Sequence, residues 1–221
     1  MSRIMILDDS HHSVLYGVEL GWGINDVFMK YTFVILVLAT IILGHPATAQ
    51  LRSGDDIVID EPVDHDLYVA GGSVTLNAPV KGDLIVAGGT VVVNDTVAQD
   101  ILAAGGDLLL LGFVADDIRC AGGTIQLGSS VSGDVVAAGG RIQILKDAVI
   151  SGNLLSTGGD VTLDGRVKGD VQAASGTFTL NGTAEGELEC KGGKILVNGD
   201  VAGRAVLAAE EIEIGSHATF G

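Results

Sequence analysis

The sequence is poor in the residues that staple, kink or decorate small folds: 2 Cys, 3 Pro and 4% aromatics in 221 residues, with 12 Lys and Arg against 28 Asp and Glu. Two cysteines cannot build a disulfide framework, and their spacing fits no paired zinc-ligand pattern. A formal charge of -16 excludes nucleic acid and anionic membrane as expected partners, because both are held by clustered Lys and Arg. Among residues 50–221 the histidines are His65 and His217, near opposite ends of the segment, and Trp is missing. No Ser-His-Asp or Cys-His set can assemble from these, and sugar-stacking aromatics are few, so the sequence reads as non-enzymatic and cofactor-free. A carbohydrate-active enzyme would need a carboxylate pair in a groove that the sequence does not reveal.

What is present is glycine, 33 of them, and hydrophobic residues at 47%, enough to offset chain ordering and form a packed core. From Met29 the text MKYTFVILVLATIILGHPATAQ has one Lys, an apolar run over 31–44, Pro46, and Ala47-Thr48-Ala49. That is the layout of a signal peptide over 29–49 with cleavage after Ala49, and it predicts export to the periplasm or cell surface. Retention of the apolar run as a membrane anchor is the alternative, though the run is shorter than the about 20 residues a spanning helix needs. Residues 1–28 carry Asp8, Asp9, Glu19 and Asp26 where an export signal is short and basic, so Met29 is the expected true start.

Downstream the chain is one repeat. Gly-Gly pairs begin at Gly71, Gly88, Gly105, Gly122, Gly139, Gly158 and Gly192, with Ser175-Gly176 standing in once; the step is 17 residues, and 19 once. Nine copies follow a partial first coil, with residues 50–56 as a lead-in and 57–221 as the repeat domain. Within a unit such as Gly82–Ala98, the apolar sites Leu84, Val86, Val91, Val93 and Val97 recur. The pairs at spacing two are inward strand positions, because side chains alternate faces along a strand. Breaks fall at the Gly pair, at Asn94-Asp95 and at Gly-Asp, residues that tolerate corner dihedrals. Three sides per 17 residues describe one turn of an all-β triangular β-solenoid, in which neighbouring coils stack to make the core. Nine coils make a rod roughly 43 Å long. A hexapeptide solenoid needs 18 residues per coil and is rejected. The two-residue insertion near Lys146-Asp147 reads as a bulged corner.

The text G-D-[LIV]-x-[VA]…V-x-[LV]-N-G-x-V-x-G-D, seen at Gly82-Asp83-Leu84, Gly133-Asp134-Val135 and Leu180-Asn181-Gly182 through Gly186, resembles the bactofilins, a polymer-forming bacterial cytoskeletal family. The resemblance implies a right-handed triangular β-helix that polymerises head to tail without nucleotide. The export signal and regular Gly-Gly corners depart from that family's pattern.

Three sets of residues are candidates for function. Asp66, Asp83, Asp100, Asp117, Asp134 and Asp170 form a column about 5 Å apart, either a calcium ladder or, as expected here, acceptors for backbone N–H groups at their own corners. Cys120 and Cys190 fall on one inward site four coils apart, too far for a disulfide, and are expected as reduced core residues. Tyr68, Ile85, Leu102, Leu109, Leu111, Phe113, Val136 and Leu155 point outward beside a column of alanines, and a contiguous exposed apolar face marks a contact surface. No polar cap is legible at either end, and bare ends invite head-to-tail addition. The reading is a structural or scaffolding protein whose partner is itself. An envelope protein or membrane-associated partner on the apolar face would make it a monomeric binding module instead.

Overall fold

The computed structural model describes residues 50–221; the export signal and the Met29 start fall outside them. Every regular element among the described residues is a strand, and all pairing is parallel. One sheet has ten strands of ten residues each: Gln50–Ile59, Leu67–Leu76, Leu84–Val93, Ile101–Leu110, Ile118–Leu127, Val135–Ile144, Leu154–Leu163, Val171–Leu180, Leu188–Val197 and Ala205–Ile214. They are rungs one to ten here. Each pairs with the next in sequence, so the chain climbs one rung per coil without crossing back. The expected β-solenoid is the observed fold.

Most rungs turn at a Gly pair, with Gly54-Asp55, Ser175-Gly176 and Ala209-Glu210 in its place in rungs one, eight and ten, and strand pairing resumes after a single skipped residue. Leu84 and Val86 are buried before the pair, Val91 and Val93 after it, and the five-residue step between them is the break in alternation that puts both halves against one core. The expected reason for the glycines was dihedral freedom. The observed reason is space: a Cβ on Gly72, Gly89, Gly106 or Gly123 would stand 2.7 to 2.9 Å from the carbonyl oxygen of the rung below. In rungs two to nine this position is glycine, because two backbones pass closely there; Glu210 takes it in rung ten.

The third side is minimal. Val63, Val80, Val97, Val114 and Val131 are linked by single bridges, and from Ser130-Val131 onward by two-residue strands that end at Thr219-Phe220. Side by side, the inward columns make one continuous core that includes Leu67, Ile101, Ile118, Phe178, Ile195 and Val97, all essentially inaccessible to solvent. Stacking is what buries them, since a single 17-residue coil has no interior of its own.

The insertion at Lys146-Asp147 is a turn closed by Ala148 N–H donating to Leu145 O at 2.9 Å, and the main ladder passes it in register, Val135 pairing Leu154. A second such turn, not anticipated, lies at Ser216-His217, where Ala218 N–H donates to Gly215 O. Two further departures occur at the first rung. Residues 50–56, expected as a lead-in, pair with rung two from Gln50 opposite Leu67. And although no cap was legible, the inward positions opposite Leu67 and Val69 hold Gln50 and Arg52, whose guanidinium meets the Gln50 amide oxygen. That end is polar on its first side, whereas rung ten leaves Ile212 and Ile214 exposed.

Candidate interaction surface

The Asp column is a hydrogen-bond ladder. Asp66 Oδ1 accepts the backbone N–H of Asp83 at 3.0 Å, Asp83 that of Asp100 at 3.1 Å, Asp100 that of Asp117 at 3.0 Å, and Asp117 that of Asp134 at 2.7 Å. Asp134 receives Asn153 N–H, Asn153 Oδ1 receives Asp170 N–H, and Asp170 receives Glu187 N–H. The acceptors were expected to serve their own corner; they serve the next rung instead. The ladder also bears on the glycine that precedes most of these residues, a place filled by side chains at Gln99 and Asp116. A Cβ at Gly82, Gly133, Gly152 or Gly186 would collide with the Asp carboxylate of the rung below.

The ladder uses Oδ1 of each carboxylate. Asp100, Asp116 and Asp117 bring oxygens within 4.8 Å of one another, the closest approach to a cation site among the described residues. Arg119 already lies there, 2.8 Å from Asp117 Oδ2 and 3.4 Å from Asp100 Oδ2.

A second ladder, missed from sequence, runs up another corner. Asn77 Nδ2 donates to Asp60, Asn94 to Asn77, Asn181 to Asp164 and Asn198 to Asn181, at 2.7 to 3.0 Å. Stacked Asn amides satisfy one another when identical positions repeat. The signal was present as Asn at 17-residue spacing. Between the two runs Leu111 and Leu145 replace Asn, and their methyl groups close over Gly128, where a Cβ would stand 2.9 Å from one and 3.3 Å from the other.

The eight outward apolar residues do not share one face. Tyr68, Ile85, Leu102, Val136 and Leu155 lie in one column on the first side, before the Gly pair, with Leu51 below Tyr68 and Arg119 between Leu102 and Val136. Leu109 comes after the pair and belongs to the second side, Leu111 to the Asn corner, and Phe113 to the third side. The expected grouping of Leu109 with Ile85 and Leu102 is therefore corrected: the Gly105-Gly106 turn stands between them. Exposure is 78% at Leu51, whose described column neighbour, Tyr68, lies on one side only, and 49% at Leu155, while Tyr68, Ile85 and Leu102 are half-buried by one another.

Beside that column on the first side stand Ser53, Ala70, Ala87, Ala104, Ala121 and Ala138, rung above rung. Through rung eight the two columns hold no carboxylate in a chain that has 28. Their single charge, Arg119, is drawn to the rim by Asp117 and Asp100 and leaves its aliphatic stem on the face.

Cys120 and Cys190 are buried free thiols in the inward column, as expected, and loss of solvent pushes both up to about 12. On the second side a shallow depression of about 310 Å³ is lined by Arg141, Gln143, Asp160, Thr162, Thr177 and Thr179. Comparison with family models, curated proteins and solved structures finds no match to this chain.

Proposed function

We propose that this chain is a non-enzymatic structural or scaffolding rod, bactofilin-like in its mode of action and exported, which works by associating with copies of itself. The observation that carries the reading is the edge geometry of the long sheet. Among the described residues rungs one and ten each have a partner on one side only, and Ile212 and Ile214 of rung ten and Phe220 beyond it are exposed. An edge with unpaired N–H and C=O groups over an apolar core is a template for another strand, and a head-to-tail contact of this kind generates open strings. The carboxylate-free first side supplies a second, lateral contact.

Continuing the 17-residue register across a head-to-tail joint sets Ile57 on Ile212 and Ile59 on Ile214, which extends the core on the second side, while on the first side it sets the polar Gln50 and Arg52 on Ala205 and Leu207. It also sets Asp55 on Glu210 and Asp56 on Glu211. Like charges directly opposite oppose pairing, so the joint is weakened at low ionic strength and strengthened by salt. Sedimentation velocity of the purified chain across a concentration series tests the proposal: growth of fast species with concentration supports it, and one invariant species overturns it. The depression around Arg141 and Asp160 favours the second reading, a monomeric binding module, and the invariant species is the outcome that reading expects.

A further inference from the structure

The first side has a relief as well as a composition. Across its width, outward positions run from the Asp column at one rim, through the bulky column of Leu51, Tyr68, Ile85 and Leu102, then the alanine column, to the Gly pair at the other rim. Ridge and groove therefore lie side by side along the whole carboxylate-free stretch. Two such faces can meet in two ways. With rods antiparallel, about a two-fold axis across the rods, ridge meets ridge and the Asp66–Asp134 rim meets its own copy. With rods parallel, about a two-fold axis along them, the ridge of each rod lies in the alanine groove of the other. Each acidic rim then faces a Gly-Gly corner, which has no side chain and no charge. Large residues facing small ones fill space, and like-charge rims kept apart avoid repulsion.

We propose that two copies of this chain pack as parallel rods, first side against first side, with the bulky column of each seated in the alanine column of the other. The inference rests on the self-association reading and specifies its lateral partner. Eight rungs by four residues give about 450 Å² per rod, at the low end for a specific contact and below the roughly 800 Å² per partner of a standard interface. The pairing is therefore reversible and concentration-dependent, and it gains strength when rods are already joined in strings.

The test is dipolar spectroscopy on the full chain at high concentration, spin-labelled at Ala98→Cys or at Ala202→Cys. Both positions are exposed and off the contact, six rungs or about 29 Å apart along the rod. The native thiols are buried and stay unlabelled. Parallel pairing gives the same distance in the two singly labelled samples, and a longer one in a mixture of the two. In an antiparallel pair the mixed distance cannot exceed both of the others, so finding it there overturns the proposal. A distance of about 48 Å alone, one rod repeat, would mean end contacts without lateral ones, leaving the scaffold reading standing and this pairing refuted. No coupling at all refutes both. Ala87→Glu, which puts a carboxylate in the groove, is expected to abolish the short distance while strings persist in sedimentation.

Discussion

Replacing Asp170 separates the two accounts of the carboxylate column. Its Oδ1 accepts the Glu187 backbone N–H at 2.8 Å, and the residue takes part in no ion pair within 4 Å. A hydrogen bond to a charged acceptor contributes about 1.5 to 3 kcal/mol, and water at this exposed corner replaces part of it, so Asp170→Ala should cost about 1 to 2 kcal/mol. Asp170→Asn keeps an acceptor oxygen at the same place and should fall within about 0.5 kcal/mol of the parent. The column already makes this substitution naturally at Asn153, whose Oδ1 accepts the Asp170 N–H at 2.9 Å. Relief of repulsion with the adjacent Glu187 would offset any small loss. The assay is urea unfolding followed by far-UV circular dichroism, with and without EDTA; for a domain of this size the Ala variant should also melt about 2 to 8 °C lower. If Asn is as damaging as Ala, or if EDTA lowers the midpoint of the parent, the carboxylates serve through their charge or through a bound cation and the backbone-acceptor argument fails.

Other consequences are simpler to check. Gly106→Ala forces a Cβ to 2.7 Å from Gly89 O and should destabilise by about 1 to 3 kcal/mol in the same unfolding assay; a neutral result would mean that the rungs can part without cost. Cys120 and Cys190, their pKa raised to about 12 by desolvation, should react with a thiol reagent at pH 8 only as fast as the rod opens, and a burst of labelling in native buffer would contradict their burial. Raising ionic strength from about 0.01 to 1 M shortens the screening length from about 30 to 3 Å, so strings should lengthen with salt. Shortening instead would place favourable ion pairs at the joint. Lys194 donates to Glu211 and Glu213 across rungs nine and ten, and its hydrogen bond holds the Glu213 carboxyl below its ordinary value. A depressed carboxyl stabilises above its unfolded pKa and loses that contribution as pH falls through the folded one. The protection of amides in Ala205–Ile214, taken relative to their intrinsic exchange rate at each pH, should therefore fall on acidification through the carboxylate range, by a small factor because the groups are exposed, and should not do so in Lys194→Met.

The coil period and the inward columns were legible because both are set by spacing alone: a 17-residue step repeats Leu67, Leu84 and Ile101 whatever the corners look like. Rung one was half-hidden because Gln50 and Arg52 sit where the later rungs, Ser156 apart, have an apolar residue, and Gly54-Asp55 lacks the second glycine. The Gly pair was recognised but misattributed, since a sequence shows that a side chain is missing and not whether a dihedral or a neighbouring carbonyl excludes it. Sorting outward residues into faces needed the turn itself. Ile85 and Leu109 both alternate outward, and only the broken alternation at the glycines places them on different sides. The Asn corner ladder was open to reading, but its mid-rod interruption by Leu111, Gly128 and Leu145 disguised the period.

Self-association is the claim on which the rest of the functional account depends, and electron microscopy of the purified chain measures it directly. At high salt the account predicts strings whose lengths are multiples of a rod about 48 Å long, present with and without EDTA and thickened where rods pair side by side. Uniform single rods at every concentration and salt would contradict it.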